Sequence, residues 1–287
     1  AIGSSTPEAT FAIGSRLARL EGGTVNRLLA GITGRPVSLT AMDYNALLDA
    51  DVSLFAFLDK LNTNLALKAA TYDEVLASRL SLGTLTTQLA TMEGLHAGAA
   101  ASLRKLALQL GSTSAMVDLR KLIDPGIRGR SPTGPVRRGS DPRLSIMELV
   151  NAAAMVSISD GKRQIATDLD LVVPGLTSLS LLLAVGEPPQ GSGWLRVGHS
   201  GDMVHTAQTR VSIIATILGA GGILGTSIKV PLYVELASGE AKLSSVACSD
   251  GTPATARVGV NARPGIATVR LAEVAPARMS DFSRAVP

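Results

Sequence analysis

The hydrophobic pattern of this chain changes period once, near residue 160, and that change constrains the fold more than any other feature. Upstream, short Leu/Ala-rich stretches space their apolar residues as helices with one buried face do, alternating with short extended pieces. Downstream the period is two. Ala166-Thr-Asp-Leu-Asp-Leu-Val-Val and Leu179-Ser-Leu-Leu-Leu-Ala-Val read as strands, and further strands are predicted at 203–217, 227–236, 241–247, 256–260 and 266–271. Pro174-Gly175, Gly186-Glu-Pro-Pro189, Gln190-Gly-Ser-Gly193, Ser238-Gly239 and Pro264-Gly265 punctuate them as turns. The expectation is an α+β fold in which a helix-rich first half packs on a mostly antiparallel sheet formed by the second half.

The first half repeats itself weakly at an offset of 28 residues. Val37-Ser-Leu-Thr-Ala falls on Leu65-Ala-Leu-Lys-Ala, Tyr44 on Tyr72, and Leu48, Ser53, Leu54 and Leu61 on Leu76, Ser81, Leu82 and Leu89. Each copy reads as a short strand, a short helix and a second helix capped by serine. The core of the unit, an apolar residue, Ser or Asp, then Leu or Ile, recurs at Val52-Ser-Leu, Leu80-Ser-Leu, Val117-Asp-Leu and Leu144-Ser-Ile. Ser and Asp oxygens can accept from the free amides of a first helical turn, so the motif is a structural device.

Between the halves lies the most irregular stretch, residues 124–143, with Arg128, Arg130, Arg137, Arg138 and Arg143 against Asp124 and Asp141. Its prolines and glycines argue against a regular element and for an exposed, mobile loop. The five arginines are the one candidate interaction site, for anionic lipid headgroups, unless the loop is a protease-sensitive junction or a subdomain boundary. The expected organisation is a helix-rich repeat region at 1–123, the basic loop at 124–143 and a β-rich region at 144–287. The two regions should share one core, because the repeat's short elements cannot bury themselves alone.

The uncharged run Val211–Ile228 is about long enough to span a membrane as a helix. Gly219-Ala-Gly-Gly222 at its centre, and the β-branched character of its first part, instead predict two buried strands joined by a glycine turn.

Chemistry is hard to find. His199 and His205, with Asp202 between them, are a weak metal set, and His205 sits in an alternating stretch that reads as a strand face. Gly198-His-Ser-Gly-Asp202 resembles a hydrolase nucleophile elbow, but Asp202 stands where the second glycine is needed. Glycine-rich 219–225 lacks the lysine of a phosphate loop, and Asp168 and Asp170 read as a solvated strand face. No cofactor or catalytic residue is expected. Of the 287 residues 46% are hydrophobic but only 3% aromatic, so the core is aliphatic and base-stacking platforms for nucleic acid are not expected. The net charge of +4 is a modest bias. The lone Cys248 rules out an internal disulfide and suits a buried thiol, an intermolecular bridge or a partner beyond this sequence. The sequence starts at Ala1 with no signal peptide, so any membrane anchor would lie outside it.

Several phrases, in order, resemble the large TadG-like proteins of tight-adherence (Flp/Tad) pilus systems. They are Ala12-Ile-Gly-Ser-Arg-Leu-Ala-Arg-Leu-Glu-Gly-Gly-Thr-Val-Asn, Val37-Ser-Leu-Thr-Ala-Met-Asp-Tyr, Thr71-Tyr-Asp-Glu-Val-Leu-Ala, Val173-Pro-Gly-Leu-Thr-Ser-Leu, Val204-His-Thr-Ala-Gln-Thr-Arg and Val230-Pro-Leu-Tyr-Val-Glu-Leu-Ala. The resemblance spans residues from about 10 to about 272 and contains no catalytic motif. It implies an extracytoplasmic region of an inner-membrane-anchored protein that helps build or anchor a pilus through contacts with other envelope or pilus proteins. It also implies a longer full-length protein, whose missing part would hold a partner for Cys248. Some such proteins carry a metal-dependent adhesion motif, Asp-x-Ser-x-Ser. Here only Asp51-Val-Ser-Leu-Phe stands, without the second serine, so the metal function does not carry over. Two other functions remain to be weighed: a lipid- or hydrophobe-binding module with an apolar groove in a curled sheet, and a hydrolase built on Ser200, His199 or His205, and Asp202.

Overall fold

The computed structural model describes residues 7–13, 26, 29–31, 33–111, 113–134, 141–161, 164–169, 176–185, 195–205, 209–218, 227–236, 239–248 and 255–279. After strand β1 (Ala9–Ala12) come helix α1 (Ala41–Leu48), β2 (Asp51–Ser53), α2 (Leu54–Asn64), α3 (Tyr72–Leu76), β3 (Arg79–Ser81), α4 (Leu82–Ala90) and α5 (Ala97–Leu110). Next are β4 (Met116–Asp118), α6 (Leu119–Leu122), β5 (Ile123–Asp124), a 3₁₀ turn (Gly126–Arg130), β6 (Arg143–Ser145) and α7 (Ile146–Gly161). The remainder is β7 (Gln164–Leu169), β8 (Leu176–Val185), β9 (Leu195–Gly198), β10 (Met203–His205), β11 (Thr209–Leu218), β12 (Ser227–Leu236), β13 (Glu240–Cys248), β14 (Ala256–Arg263), β15 (Ala267–Arg270) and a last helical turn, α8 (Pro276–Met279). The fold is α+β, with mostly antiparallel sheets.

Each occurrence of the recurring apolar–Ser/Asp–Leu/Ile motif sits at a three-residue strand that turns directly into a helix. Ser53 accepts from the amide of Ala56, Ser81 from Thr84 and Asp118 from Arg120, so the last strand residue caps the next helix. The strands pair antiparallel, β2 with β6 and β3 with β4. In the first pair the helix-opening amides reach across: Leu54 N–H donates to Pro142 O, and Ile146 N–H to Ala50 O. Strand order inside each repeat differs from expectation. Residues 36–40 and 67–69 are extended or irregular rather than strands, and the strand stands between the two helices. The apolar side chains of 37–39 still enter the core, which is why their pattern imitates a strand.

The principal core is one cluster. It holds Leu47, Phe55, Phe57, Leu85, Leu106 and Val150 of the helices together with Leu183, Leu195, Val197 and Val211 of the strands. Helices α4 and α5 approach closely at Gly83, where a Cβ would run into the backbone of Leu110. Helix α7 packs in this layer, so the helical part ends at Gly161, not at the basic loop.

Strands lie close to where the alternation puts them. The five-stranded sheet has the order β15-β12-β11-β8-β7. Strands β11 and β12 pair from Thr209↔Leu236 to Leu218↔Ser227, so the uncharged run forms antiparallel strands; its glycines lie outside the described residues. No helix among the described residues is long and apolar enough to cross a membrane. The stretch 203–217, expected as one strand, is two: β10 pairs with β13, whereas β11 pairs with β8 and β12. One uninterrupted alternation conceals the break because both pieces keep period two. Strands β1 and β9, too short to stand out in the pattern, pair with each other, and β5 joins β9 in parallel.

Candidate functional site

The basic stretch holds more structure than its composition suggests. Gly126 adopts φ +60°, and a Cβ there would collide with the carbonyl of Val197, so only glycine lets the chain turn against β9. The 3₁₀ turn that follows puts the Arg128 guanidinium 4.6 Å from the centre of the Phe55 ring, and that ring packs against Tyr72 at 4.8 Å. Beyond the turn, Tyr72 N–H donates to Ser131 O, Thr133 N–H to Ala70 O, and Gly134 N–H to Asp59 Oδ1 at 2.8 Å. Residues 126–134 are therefore ordered against α2 and α3. The expectation of an exposed loop over 124–143 thus does not describe 126–134, where backbone bonds to 70–72 and the aromatic stack hold the chain; residues 135–140 lie outside the described residues.

The three described arginines of this stretch sit in different settings. Arg128 is half-buried on Phe55, Arg130 is exposed, and Arg143 belongs to β6. Arg143 Nε lies 3.0 Å from Asp51 Oδ2, and a second nitrogen donates to Asp51 O. Arg137 and Arg138 lie outside the described residues.

Beside this segment is an open cleft of about 630 Å³, bordered by Asp51, Asp59, Lys60, Glu93 and Arg143 together with Met92. Burial pushes the Asp59 carboxyl above its ordinary range, while its bonds from Gly134 and Tyr72 pull the other way. The same burial, with Asp59 beside it, raises the Tyr72 phenol to about 12. Within the adhesion-like Asp51-Val-Ser-Leu-Phe stretch, Asp51 holds Arg143, and Ser53 caps α2 while donating to Asp141. Among the described residues no group of three or more His, Cys, Asp or Glu is placed to hold a metal ion.

Gly198-His-Ser-Gly-Asp202 is the reverse turn between β9 and β10. Gly201 takes φ +105°, its N–H donates to Leu243 O, and Leu243 N–H donates back to Asp202 O. Ser200 Oγ donates to Ser244 O at 2.7 Å, His199 Nε2 lies 3.3 Å from Glu8, and Asp202 accepts from the His199 amide and pairs with Arg196. Hydroxyl, imidazole and carboxylate thus point to different partners. His205 lies on β10 opposite Glu240, and Asp168 on β7 opposite Ser180; Asp170 is outside the described residues. His96 caps α5 through Nδ1, a role its lone position gave no sign of.

The network that sequence reasoning missed is in the five-stranded sheet. Arg210 is 1% exposed. Its Nε and a terminal nitrogen both donate to Glu235 Oε1 at 3.1 Å, and the other terminal nitrogen donates to Arg278 O in α8. Tyr233 donates to Glu235 Oε2 at 2.9 Å, and burial pushes its phenol up to about 12. The signal was the hairpin itself, whose register sets Arg210 opposite Glu235.

Residues 21–155 match the model of a family described only as a domain of unknown function, DUF8293. The match covers α1 to α6, both two-stranded pairs and most of α7. No curated protein and no solved structure matches the chain.

Proposed function

We propose that this chain is a structural or assembly component of a bacterial cell envelope. It would act outside the cytoplasm by binding other envelope or pilus proteins, as its resemblance to TadG-like proteins implies. One observation supports this reading above others: large apolar side chains stand in solvent on β14 and β15 and on the residues that flank β15. Val258 is 47% exposed, Val260 44%, Val269 61%, Ile266 75% and Leu271 78%. All five fall within residues 258–271, and exposed apolar side chains of this kind are what a protein-binding face offers. The singled-out polar side chains, by contrast, cap helices or bridge elements. The test is to purify the full-length protein from detergent-solubilised envelopes and identify what accompanies it by native mass spectrometry with lipid extraction. Recovery of pilus or other envelope proteins is the expected result. Their absence would count against the assembly role, and a bound lipid mass would replace it with the hydrophobe-binding alternative.

A further inference from the structure

Strands β13 and β14 form a two-sided ribbon. Their register sets Ala241 opposite Ala262, Leu243 opposite Val260, Val246 opposite Val258 and Cys248 opposite Ala256. Two-residue periodicity alone would put Val246 on the opposite face from Leu243. A bulge at Ser244 and Ser245, both facing Gly259, absorbs one residue and returns Val246 to the apolar face. Gly259 suits that site, since a Cβ there would lie within 2.7 Å of both serine hydroxyls.

The apolar face is covered at one end only. Phe11 and Ile13 pack on Val204, Ala241 and Leu243, and the cover thins at Val246. Val258 and Val260 remain exposed beyond it, on a strand whose one ladder partner among the described residues is β13. Beyond the short β10, which pairs only with the start of β13, the sheet is two strands wide, and an apolar edge that no described strand covers gains from another strand. The reverse face of β14 carries Arg257, Asn261 and Arg263, all exposed. Glu240 stands opposite Arg263, yet pairing β14 with a second copy of itself would still gather four guanidinium groups against two carboxylates on one face, and like charges across a ladder repel.

We propose that the β14 edge is a docking site for an extended segment of a partner protein. That segment would alternate apolar residues, continuing the Val258/Val260 face, with carboxylates that meet Arg257 and Arg263. This deepens the assembly reading and rests on it.

The probe is a synthetic octapeptide alternating valine with glutamate, compared with its lysine counterpart. We expect saturable binding of the acidic peptide to the intact chain and slowed amide exchange confined to 256–263. Binding of the lysine peptide should be roughly tenfold weaker. Arg257→Glu with Arg263→Glu should reverse that order while leaving the unfolding transition in place, which separates recognition from misfolding. Equal binding of both peptides, or protection elsewhere, would overturn the site. A dimer in solution that Val258→Lys with Val260→Lys dissolves would overturn it in favour of a second copy. If those lysine substitutions leave envelope partners bound, the site fails while the assembly role stands. If the unsubstituted chain recovers no partner at all, it is the role that fails.

Discussion

Asp43 and Asp59 show how one residue type takes opposite parts in this fold. Asp43 accepts from Lys105 at 2.7 Å, from Ser102, and from the backbone and hydroxyl of Thr40 in a capping box at the start of α1. Lys105 and these donors hold its carboxyl well below the ordinary 3.8. A depressed carboxylate stabilises the fold above its unfolded-state value and loses that contribution as pH falls through the folded one. Asp43→Asn should therefore cost about 1 kcal/mol at neutral pH and progressively less in strong acid, measured by urea unfolding across pH. Asp59 runs the other way. Its carboxyl is raised by burial, so the stability it gives is greatest when protonated and is lost as pH rises. Asp59→Asn keeps an acceptor for Gly134 N–H, and its stability relative to the unsubstituted chain should rise with pH. A flat difference between the two across the acidic range would contradict this.

At the scale of elements, the recurring device is the strand that ends in a helix cap. Ser81→Ala removes the cap on α4 and should cost about 1 kcal/mol in equilibrium denaturation. Ser53→Ala should cost more than Ser81→Ala, because the second partner of Ser53 is the Asp141 carboxylate, whose other oxygen accepts from Phe55 N–H, whereas that of Ser81 is the neutral Thr84 hydroxyl. Equal losses would mean that the Asp141 contact contributes no more than the Thr84 hydroxyl does to Ser81. In the five-stranded sheet, Arg210→Ala removes the guanidinium that holds Glu235 Oε1 and releases the carbonyl of Arg278. A loss of about 3–5 kcal/mol is expected, with faster amide exchange first in α8, the element Arg210 fastens to the sheet.

The molecule as a whole is organised around the cluster that runs from Leu29 to Val211. Leu183, Leu195, Val197 and Val211 of the strands join the helical layer within it, while two smaller clusters lie among the strands. Far-ultraviolet dichroism and tyrosine fluorescence should follow one coincident unfolding transition in urea. Tyr72 and Tyr44 report on the helices and Tyr233 on the sheet. Two separate transitions would show that the halves fold independently.

Alternation and helical spacing by themselves determined the α+β class and the positions of β8 and β12 to β15. Each rests on residues within one segment, where period two or 3.6 is forced by which side chains must face inward. The serine and aspartate caps were legible for the same reason, since a cap joins atoms only a few residues apart. What lay beyond reach depended on contacts far apart in the chain. The ordering of 126–134 depends on Phe55, Tyr72 and Asp59, tens of residues upstream. The split between β10 and β11 depends on which sheet each piece joins, and the polar network on Arg210 meeting Glu235 and α8. The bulge that keeps Val246 beside Leu243 appears only once β14 is paired. Local periodicity encodes which way a side chain faces; only the assembled tertiary structure decides what it meets there.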